Sequence, residues 1–536
     1  MNKYDAIFVG SGHNSLVAAA LLARAGWSVL VLEKNDRPGG FCRTDEVTLP
    51  GFKHDLFSTA HPLFVTGPAY AELAPELAER GLQYLNGGLP TGVSMHDGRT
   101  AVFPRDMGAA IAEFERLAPG DGQAFAQMIQ EFGAHAGDIF PLFAMDLASP
   151  EAQAIIRRLM VDPSGRGYTP FAADFMGTAR DLLERRFRSP VFRALAAPWV
   201  MHLGRTPDAA NSAFWLPLVL MSFIGGGMAL PVGGSEMLPR ALVKLIRDRG
   251  GEVICDALVE RIVVRHGRAE AVRVAGGKQY KAERAVVASV NPDQLYLRLL
   301  EGADVPAPLV KQAGGFRYGR GAVQVQLALS RPLAWPDARL GEVGQLHLTG
   351  GLEEITTGIT QALNGWLPAS PTISLDSPTA FDKTRVPEGK AIARLQMLEI
   401  PIRPRGDAAG TIDVGDGTWT EALKDRFADR VIDIAARHVP GLKDTILARH
   451  VMGPADLAAY NPNAGPGDPY GGSHDLAQSY LFRPLPGQPG HQTAVPNVYM
   501  LGAATWPGHG VNGGSGYIVA RQLLAAPAVG KKPAKA

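Results

Sequence analysis

The chain is poor in cysteine, with two residues, Cys42 and Cys255, among 536. Two are too few for a disulfide framework, and the pattern fits a reducing compartment. No C-x-x-C occurs, which excludes a dithiol redox centre of that type. Net charge is equally scarce: 53 Lys and Arg stand against 52 Asp and Glu, a formal balance of +1. Nothing in that balance argues for a nucleic-acid partner. The sequence holds no metal-ligand cluster, nucleophile elbow or P-loop, and no repeat or low-complexity tract. One charge-free stretch approaches membrane-spanning length, residues 213–232, AFWLPLVLMSFIGGGMALPV. Pro217, the run Gly225-Gly226-Gly227 and Pro231 argue against a continuous helix there, so a buried or tunnel-lining segment is expected. Peripheral contact with a membrane surface stays open. The N-terminus enters a strand at once and leaves no room for a signal peptide, which predicts a cytoplasmic protein.

What is present is a globular composition, 46% apolar and 20% charged. The length predicts two or more domains. The most informative stretch is Tyr4 to Glu33, YDAIFVGSGHNSLVAAALLARAGWSVLVLE. An apolar strand over Tyr4–Val9 meets a turn at Gly10 and Gly12. An Ala- and Leu-rich helix runs to about Ala25, Gly26 stops it, and a second strand, Ser28–Leu32, ends on Glu33. This is a βαβ unit of the size a dinucleotide fingerprint needs. Gly10 permits the tight turn, and Gly12 lets a pyrophosphate approach the backbone. The helix start, with Asn14 and Ser15, points N–H groups and a partial positive charge at that pyrophosphate. Ser15 stands where the pattern has its third glycine; it is small, so the departure is mild. Glu33 suits a carboxylate accepting from ribose hydroxyls. The unit alone leaves NAD and FAD open.

Further along, GVSMHDGRTAVF (residues 92–103) reads as a hairpin turning at Asp97-Gly98. Residues 105 to about 230 read as mainly helical. A helix over Glu236–Arg249 follows, then a strand over Glu252–Ile254, a hairpin of Val259–Val264 with Ala269–Val274, and a strand over Ala285–Ser289. Residues 321–330, GAVQVQLALS, alternate as a half-buried strand should. A helix is expected over Trp419–His438, and a last strand, Asn497–Leu501, leads into a glycine turn and a helix after Gly514. The fold class is therefore α/β. A Rossmann-like cofactor domain is assembled from residues 1–60, 230–300 and 490–530. A substrate domain of mixed sheet and helices, residues 61–229 and 301–489, is inserted between them, and residues 531–536 form a flexible tail.

After Glu33 the chain reads Lys34-Asn35-Asp36-Arg37-Pro38-Gly39-Gly40-Phe41-Cys42-Arg43-Thr44. A Gly-Gly pair soon after the acid, followed by Arg and Thr, resembles the second motif of FAD-binding amine oxidases and phytoene desaturases. Near the C-terminus stands Leu501-Gly502-Ala503-Ala504-Thr505-Trp506-Pro507-Gly508-His509-Gly510-Val511-Asn512-Gly513-Gly514-Ser515-Gly516. This resembles the desaturase C-terminal run; amine oxidases commonly carry an acid where Ala503 stands. With Val259-Glu260-Arg261-Ile262 and Tyr480-Leu481-Phe482-Arg483-Pro484, the resemblance to phytoene desaturase-like FAD-dependent oxidoreductases covers nearly the whole chain. It implies FAD as the cofactor. It also implies that Gly39 and Gly40 lie at the FAD phosphates with Arg43 and Lys34 near, and that Val259 faces the adenine. Gly502 would pass the ribityl phosphate, and Val511, Asn512 and Gly513 would offer N–H groups at the flavin pyrimidine edge.

FAD would carry the chemistry, taking hydride equivalents at N5 from a hydrophobic or aromatic small molecule. His61 and then His509 are the acid/base candidates; each is also of a kind often found as a hydrogen-bonded structural histidine. Trp506, Tyr480 and Arg483 are candidate substrate contacts, with core packing or ion pairing as the plain alternative. Within enzymes, an amine oxidase or a carotenoid isomerase is the alternative. From another class, a lipid- or prenyl-binding chaperone of the same fold remains, against which the intact glycine motifs argue.

Overall fold

The computed structural model describes residues 2–526; the tail expected at 531–536 and the last residues of the 490–530 piece lie outside them. The first layer is a seven-stranded sheet. Its parallel part runs, edge to edge, Val498–Met500, Gln279–Ala288, Lys3–Val9, Val29–Leu32 and Glu252–Ile254. The hairpin Val259–Arg265 and Arg268–Val274 adds antiparallel strands to the early part of Gln279–Ala288. Strands Lys3–Val9 and Val29–Leu32 read as near-continuous apolar runs because helices and the hairpin layer cover both faces. On one face lie the helices His13–Arg24, Met237–Asp248 and Gly514–Ala525. The first of these is buried from Asn14 to Ala23, which explains a helix of Ala and Leu with no polar side. Its packing is close: a Cβ added at Gly516 would lie 2.1 Å from the Asn14 carbonyl oxygen.

This layer takes in more chain than the sequence boundaries drew. The helix Pro68–Ala78 buries Ala69, Leu73 and Leu77 in the same core, past residue 60. Leu309, Ala313 and Phe316 join the core on the other face, past residue 300. Apolar area decides membership, and these short helices have no other core to join.

The second layer is a seven-stranded mixed sheet ordered Ile446–Met452, Gly321–Leu329, Ala391–Ile400, Ile373–Asp376, Val343–Thr349, Leu89–Met95, Thr100–Phe103. The last two strands are the hairpin around Asp97-Gly98. Val323, Val325, Leu327, Leu375, Leu395 and Met397 form its apolar face, on which the helix Glu421–His438 lays Leu423, Phe427 and Val431. Strand Gly321–Leu329 alternates in sequence, yet every residue of it is buried. On its polar face Gln324 lines a cavity and Gln326 donates to the Asp55 carbonyl at 2.9 Å, with no solvent on either, so the expectation of a half-buried strand is corrected.

The charge-free stretch is mostly the helix Ser212–Gly226, which runs through Pro217. The continuous-helix objection therefore fails at Pro217. Burial of Phe214, Trp215, Leu216, Leu218, Leu220 and Phe223 outweighs the one backbone hydrogen bond that proline removes. Among the described residues no helix is long and apolar enough to cross a membrane.

One buried ion cluster ties the layers. The Arg385 guanidinium, 0% exposed, pairs with Asp55 and, through Nε at 3.1 Å, with Asp382. It also donates through Nη2 to the Pro231 carbonyl at 2.9 Å. Asp55 accepts from Thr44 Oγ1 at 2.6 Å and from the Ser235 amide at 2.8 Å, and Asp382 accepts from the Gly233 amide at 2.7 Å. Arg385→Met should strand two buried carboxylates and cost about 3–5 kcal/mol. Asp55→Asn combined with Arg385→Met should recover part of that loss. Denaturant unfolding of the two variants checks both expectations.

Candidate active site

A cavity of about 530 Å³ runs from the C-terminal ends of the parallel strands to the polar face of the second sheet. That volume lies in the ordinary range for small-molecule sites. At the strand end it is lined by Gly10, Ser11, Gly12, His13, Asn14, Glu33, Lys34 and Gly40. The helix behind Gly12 has no side-chain cap and no acid in its first turn. Its first N–H groups and partial positive charge therefore open into the cavity. Glu33 accepts from the Ser11 amide at 3.0 Å through Oε2 and from the Asn35 amide at 2.9 Å through Oε1. The Ser11 hydroxyl donates to Oε2 as well, at 2.5 Å; these bonds fix the carboxylate and leave a lone pair on Oε1 for a ribose hydroxyl. The two glycine motifs touch: Gly12 bridges Gly39, and the Gly39 amide donates to the Ser11 carbonyl at 3.1 Å. A Cβ at Gly39 would sit 2.8 Å from the Cys42 carbonyl oxygen, at a φ of +132° that favours glycine.

Val259, Gly502, His509, Gly510 and Val511 also line the cavity. Gly502 has φ +109°; its amide donates to Ser515 Oγ at 2.8 Å, which ties the glycine turn to the last helix. That helix starts after Gly513, and its first-turn amides are taken by side chains: Gly514 donates to Asn512 Oδ1 at 2.8 Å and Gly516 to Asn14 Oδ1 at 3.3 Å. The uncapped helix start behind Gly12 and the glycine backbone at the wall supply donors for phosphates, and the held Glu33 carboxylate an acceptor for ribose, a set that suits a dinucleotide.

Several expected contacts do not reach the cavity wall. Ser15 is fully buried in helix packing. Arg43 is spent on Asp45 at 2.6 Å and Asp36 at 3.0 Å and lies over the Tyr460 ring; it holds the loop that carries Gly40. Asn512 turns inward, its Nδ2 donating to the Gly508 and Gly510 carbonyls at 3.2 and 3.1 Å. Gly513 packs against Phe64 and Ala69. His61 is 0% exposed, with Nδ1 3.0 Å from Tyr84 Oη and Nε2 2.9 Å from Ser235 Oγ. Both ring nitrogens are used, and its neighbours Ala60 and Pro62 line the cavity while it does not. Trp506 donates through Nε1 to the Leu142 carbonyl at 2.7 Å and packs with Phe143, Trp215 and Tyr480. Tyr480 bonds Asn211 and accepts from Trp215 Nε1 at 2.9 Å. Arg483 gives its donors to the carbonyls of Ala503, Ser473, Gln478 and Gly471. These three residues build the wall behind the site.

At the other end the cavity meets residues that the motif reading passed over. Trp199, Leu203, Val219, Phe223, Met228 and Leu398 make an apolar lining, and Gln324, Gln345, Arg394 and Gln396 make a polar floor. The signal for the floor was Gln-x-Gln at 324–326 and Arg-x-Gln at 394–396, polar residues on one face of strands that have no solvent face. Arg394 is neutralised inside the wall by Asp376, with Nε and Nη2 at 2.8 and 2.7 Å. His202 Nε2 lies 2.9 Å from His347 Nε2.

Burial holds the cavity imidazoles neutral. Desolvation pulls His13 to about 4 and His509 to about 3, from 6.5, and His202 well below its ordinary value. A base whose folded value is depressed contributes stability that is present above 6.5 and is lost as pH falls through the folded value. The protein should thus lose stability progressively between pH 6.5 and 3. His509→Asn should flatten part of that acid limb, measured by thermal unfolding against pH.

With this geometry in place, comparisons with known proteins agree. Residues 16–524 match the family model of the flavin-containing amine oxidoreductases. A mouse protein named pyridine nucleotide-disulfide oxidoreductase domain-containing protein 2 is 26% identical over 97% of this chain and 94% of its own. A zeta-carotene-forming phytoene desaturase of Myxococcus xanthus is 25% identical over 94% and 90%. One of the limonene dehydrogenase polypeptides of Castellaniella defragrans is 22% identical over 98% and 95%. Among solved structures, an oxidoreductase from Methanosarcina mazei superposes with a TM-score of 0.64 at 15% identity, covering 97% of this chain and 99% of that one. The chain belongs to the flavin-containing amine oxidoreductase family, and it is an FAD-dependent oxidoreductase.

Proposed function

We propose that this enzyme dehydrogenates an uncharged, largely apolar small molecule held between the strand ends and the second sheet. Bound FAD supplies the hydride-accepting atom, its N5. Gly12, Asn14 and the uncapped helix start bind the phosphates, and Glu33 holds the ribose. Trp199, Leu203, Val219, Phe223 and Met228 orient an apolar skeleton and exclude water from it. A proton that leaves with the hydride meets three imidazoles held neutral at the wall, His13, His202 and His509.

The observation that carries this reading is the placement of carboxylates. Among the described residues, Glu33 and Glu260 are the only acids lining the cavity; Glu33 directly follows the strand Val29–Leu32 and Glu260 stands on Val259–Arg265, both at the dinucleotide end. An ammonium group at the deep end would be desolvated without a counter-ion, a cost of several kcal/mol. The names of two relatives, a phytoene desaturase and a limonene dehydrogenase, are consistent with an apolar substrate.

Anaerobic mixing of the yellow protein with candidate substrates tests it. Neutral alkenes, terpenoids and cyclic alcohols should include compounds that bleach the flavin. Aliphatic primary amines and diamines should leave the spectrum unchanged. Bleaching by amines alone would sink the proposal.

A further inference from the structure

Among the described residues four arginines are buried, Arg205, Arg385, Arg394 and Arg483. Arg385 and Arg394 are cancelled by aspartates. Arg205 and Arg483 have carbonyls, a histidine and a ring as partners, and no ion pair with any described residue. Both stand behind the cavity wall. Arg483 donates through Nε and Nη2 to the Ala503 carbonyl at 3.0 and 2.6 Å, and through Nη2 to that of Gly471 at 2.9 Å. Arg205 donates through Nη1 to the Leu203 carbonyl at 3.2 Å, and its guanidinium carbon lies 4.4 Å from the Trp215 ring centroid. Ala503, Gly471 and Leu203 all line the cavity. His474 sits between the two guanidiniums, with Nδ1 3.5 Å from Arg205 and Nε2 3.4 Å from Arg483.

The positive charge there stays uncancelled. Burial, and then the two guanidiniums, hold His474 well below its ordinary value, so the ring neither adds charge nor removes it. Burial lowers Arg205, and burial with Arg205 nearby pulls Arg483 down to about 9; both remain cations at neutral pH. The acids of the neighbouring segment are engaged elsewhere. Asp468 accepts the amides of Gly319, Tyr470 and Gly472 at 2.6, 2.6 and 3.0 Å, and burial raises its carboxyl. Asp475 is exposed and pairs with Arg317 at 3.5 Å. Carbonyls satisfy the N–H groups of a buried cation but carry no net charge, and a desolvated charge without a counter-ion is expensive to keep. At Arg385 and Arg394 the fold supplies that counter-ion, and here it does not.

We propose that Arg205 and Arg483, with His474 between them, place positive charge behind the cavity wall to stabilise the negative charge that the flavin gains with a hydride, and so raise its reduction potential. Oxidised flavin is neutral at its ring system. A hydride brings two electrons and one proton from a substrate carbon, so the substrate is oxidised and the flavin becomes an anion, while the second proton goes to a wall imidazole. Charge held in a dry wall acts on the cavity with little screening, and charge near the reacting ring is a means by which a protein tunes its cofactor. Neither arginine is a catalytic residue; both act through the field they set up. The proposal rests on the flavin of the family and not on the identity of the substrate.

The test uses the flavin-loaded protein and needs no substrate. Its two-electron reduction potential is measured against a dye of known potential. Sulfite, which adds to oxidised flavin and leaves a negative charge on it as hydride does, is titrated by loss of the yellow absorbance. Arg205→Met keeps an apolar stem against Trp215 and removes the charge. It should lower the potential by about 30 mV, a tenfold change in equilibrium, and weaken sulfite binding about tenfold. Arg205→Lys, which keeps the charge, should hold both close to the parent values. Should Arg205→Met lose its flavin, Arg205→Gln, which retains a donor for the Leu203 carbonyl, reads the same shift. A potential and a sulfite affinity unchanged by loss of the charge overturn the proposal. An equal fall in Arg205→Met and Arg205→Lys overturns it too, because packing and not charge would then be the cause. Either result leaves the apolar-substrate reading untouched, and bleaching by amines alone would sink that reading without moving the potential.

Discussion

The two layers depend on a buried ionic junction at Asp55 and Arg385. It gathers the strand after the second glycine motif (Thr44), the chain re-entering the first layer (Pro231, Gly233, Ser235) and a loop of the second sheet (Asp382, Arg385). Residues remote in sequence meet there around charges with no water to fall back on. Such a cluster is weak evidence for net stability, because an apolar replacement often does as well. Its geometry does more than its energy. Asp55 accepts the Ser235 amide while Ser235 Oγ bonds His61, so the junction also fixes the segment 55–62 that walls the cavity. That gives His61 its place: an imidazole bonded through both nitrogens orients the chain, and no nitrogen remains to move a proton into the cavity.

The first layer was legible in the sequence because its physics is local. A strand, a glycine turn, an Ala-rich helix and a second strand ending on Glu33 are each dictated by neighbours within a few residues. The positions of the helix Met237–Asp248, the strand Glu252–Ile254 and the following hairpin were readable for the same reason. What was not legible is set by packing between distant segments. Nothing near Pro68–Ala78 says which core it joins. Nothing near Arg43 shows that Asp36, Asp45 and Tyr460 will consume its charge. Trp506, Tyr480 and Arg483 show the same limit. Their neighbourhood in the sequence borders the cofactor loop, yet each side chain turns to carbonyls and rings behind it. Proximity along the chain located the wall but not its inner surface.

The floor of the cavity shows a subtler failure. Alternation in GAVQVQLALS is the pattern of a strand with one wet face, and periodicity cannot distinguish bulk water from an enclosed polar cavity. The register resolves it: Gln324 opposite Gln396 and Gln396 opposite Ser374 align polar residues over three strands whose other face is sealed by Phe427 and Val431. Buried polar side chains in such number are costly unless each finds a partner. Asp376 and Arg394 find each other, and Gln345 finds Ser374. Gln324 Oε1 finds none within the chain.

The electrostatic contrast between the two ends follows from the same accounting. At the strand end, helix dipoles and unpaired N–H groups favour anionic phosphates, with Lys34 and Arg298 also at the wall. At the sheet end the Arg394 charge is met by Asp376 within the wall and the histidines are driven neutral by burial. A neutral, poorly hydrated pocket gives little advantage to a charged amine. It does not weaken a carbon–hydrogen bond by charge either. On the proposed reading, reactivity there comes from holding the skeleton in place against the cofactor and from keeping water out, tasks for which rigid aromatic walls are suited.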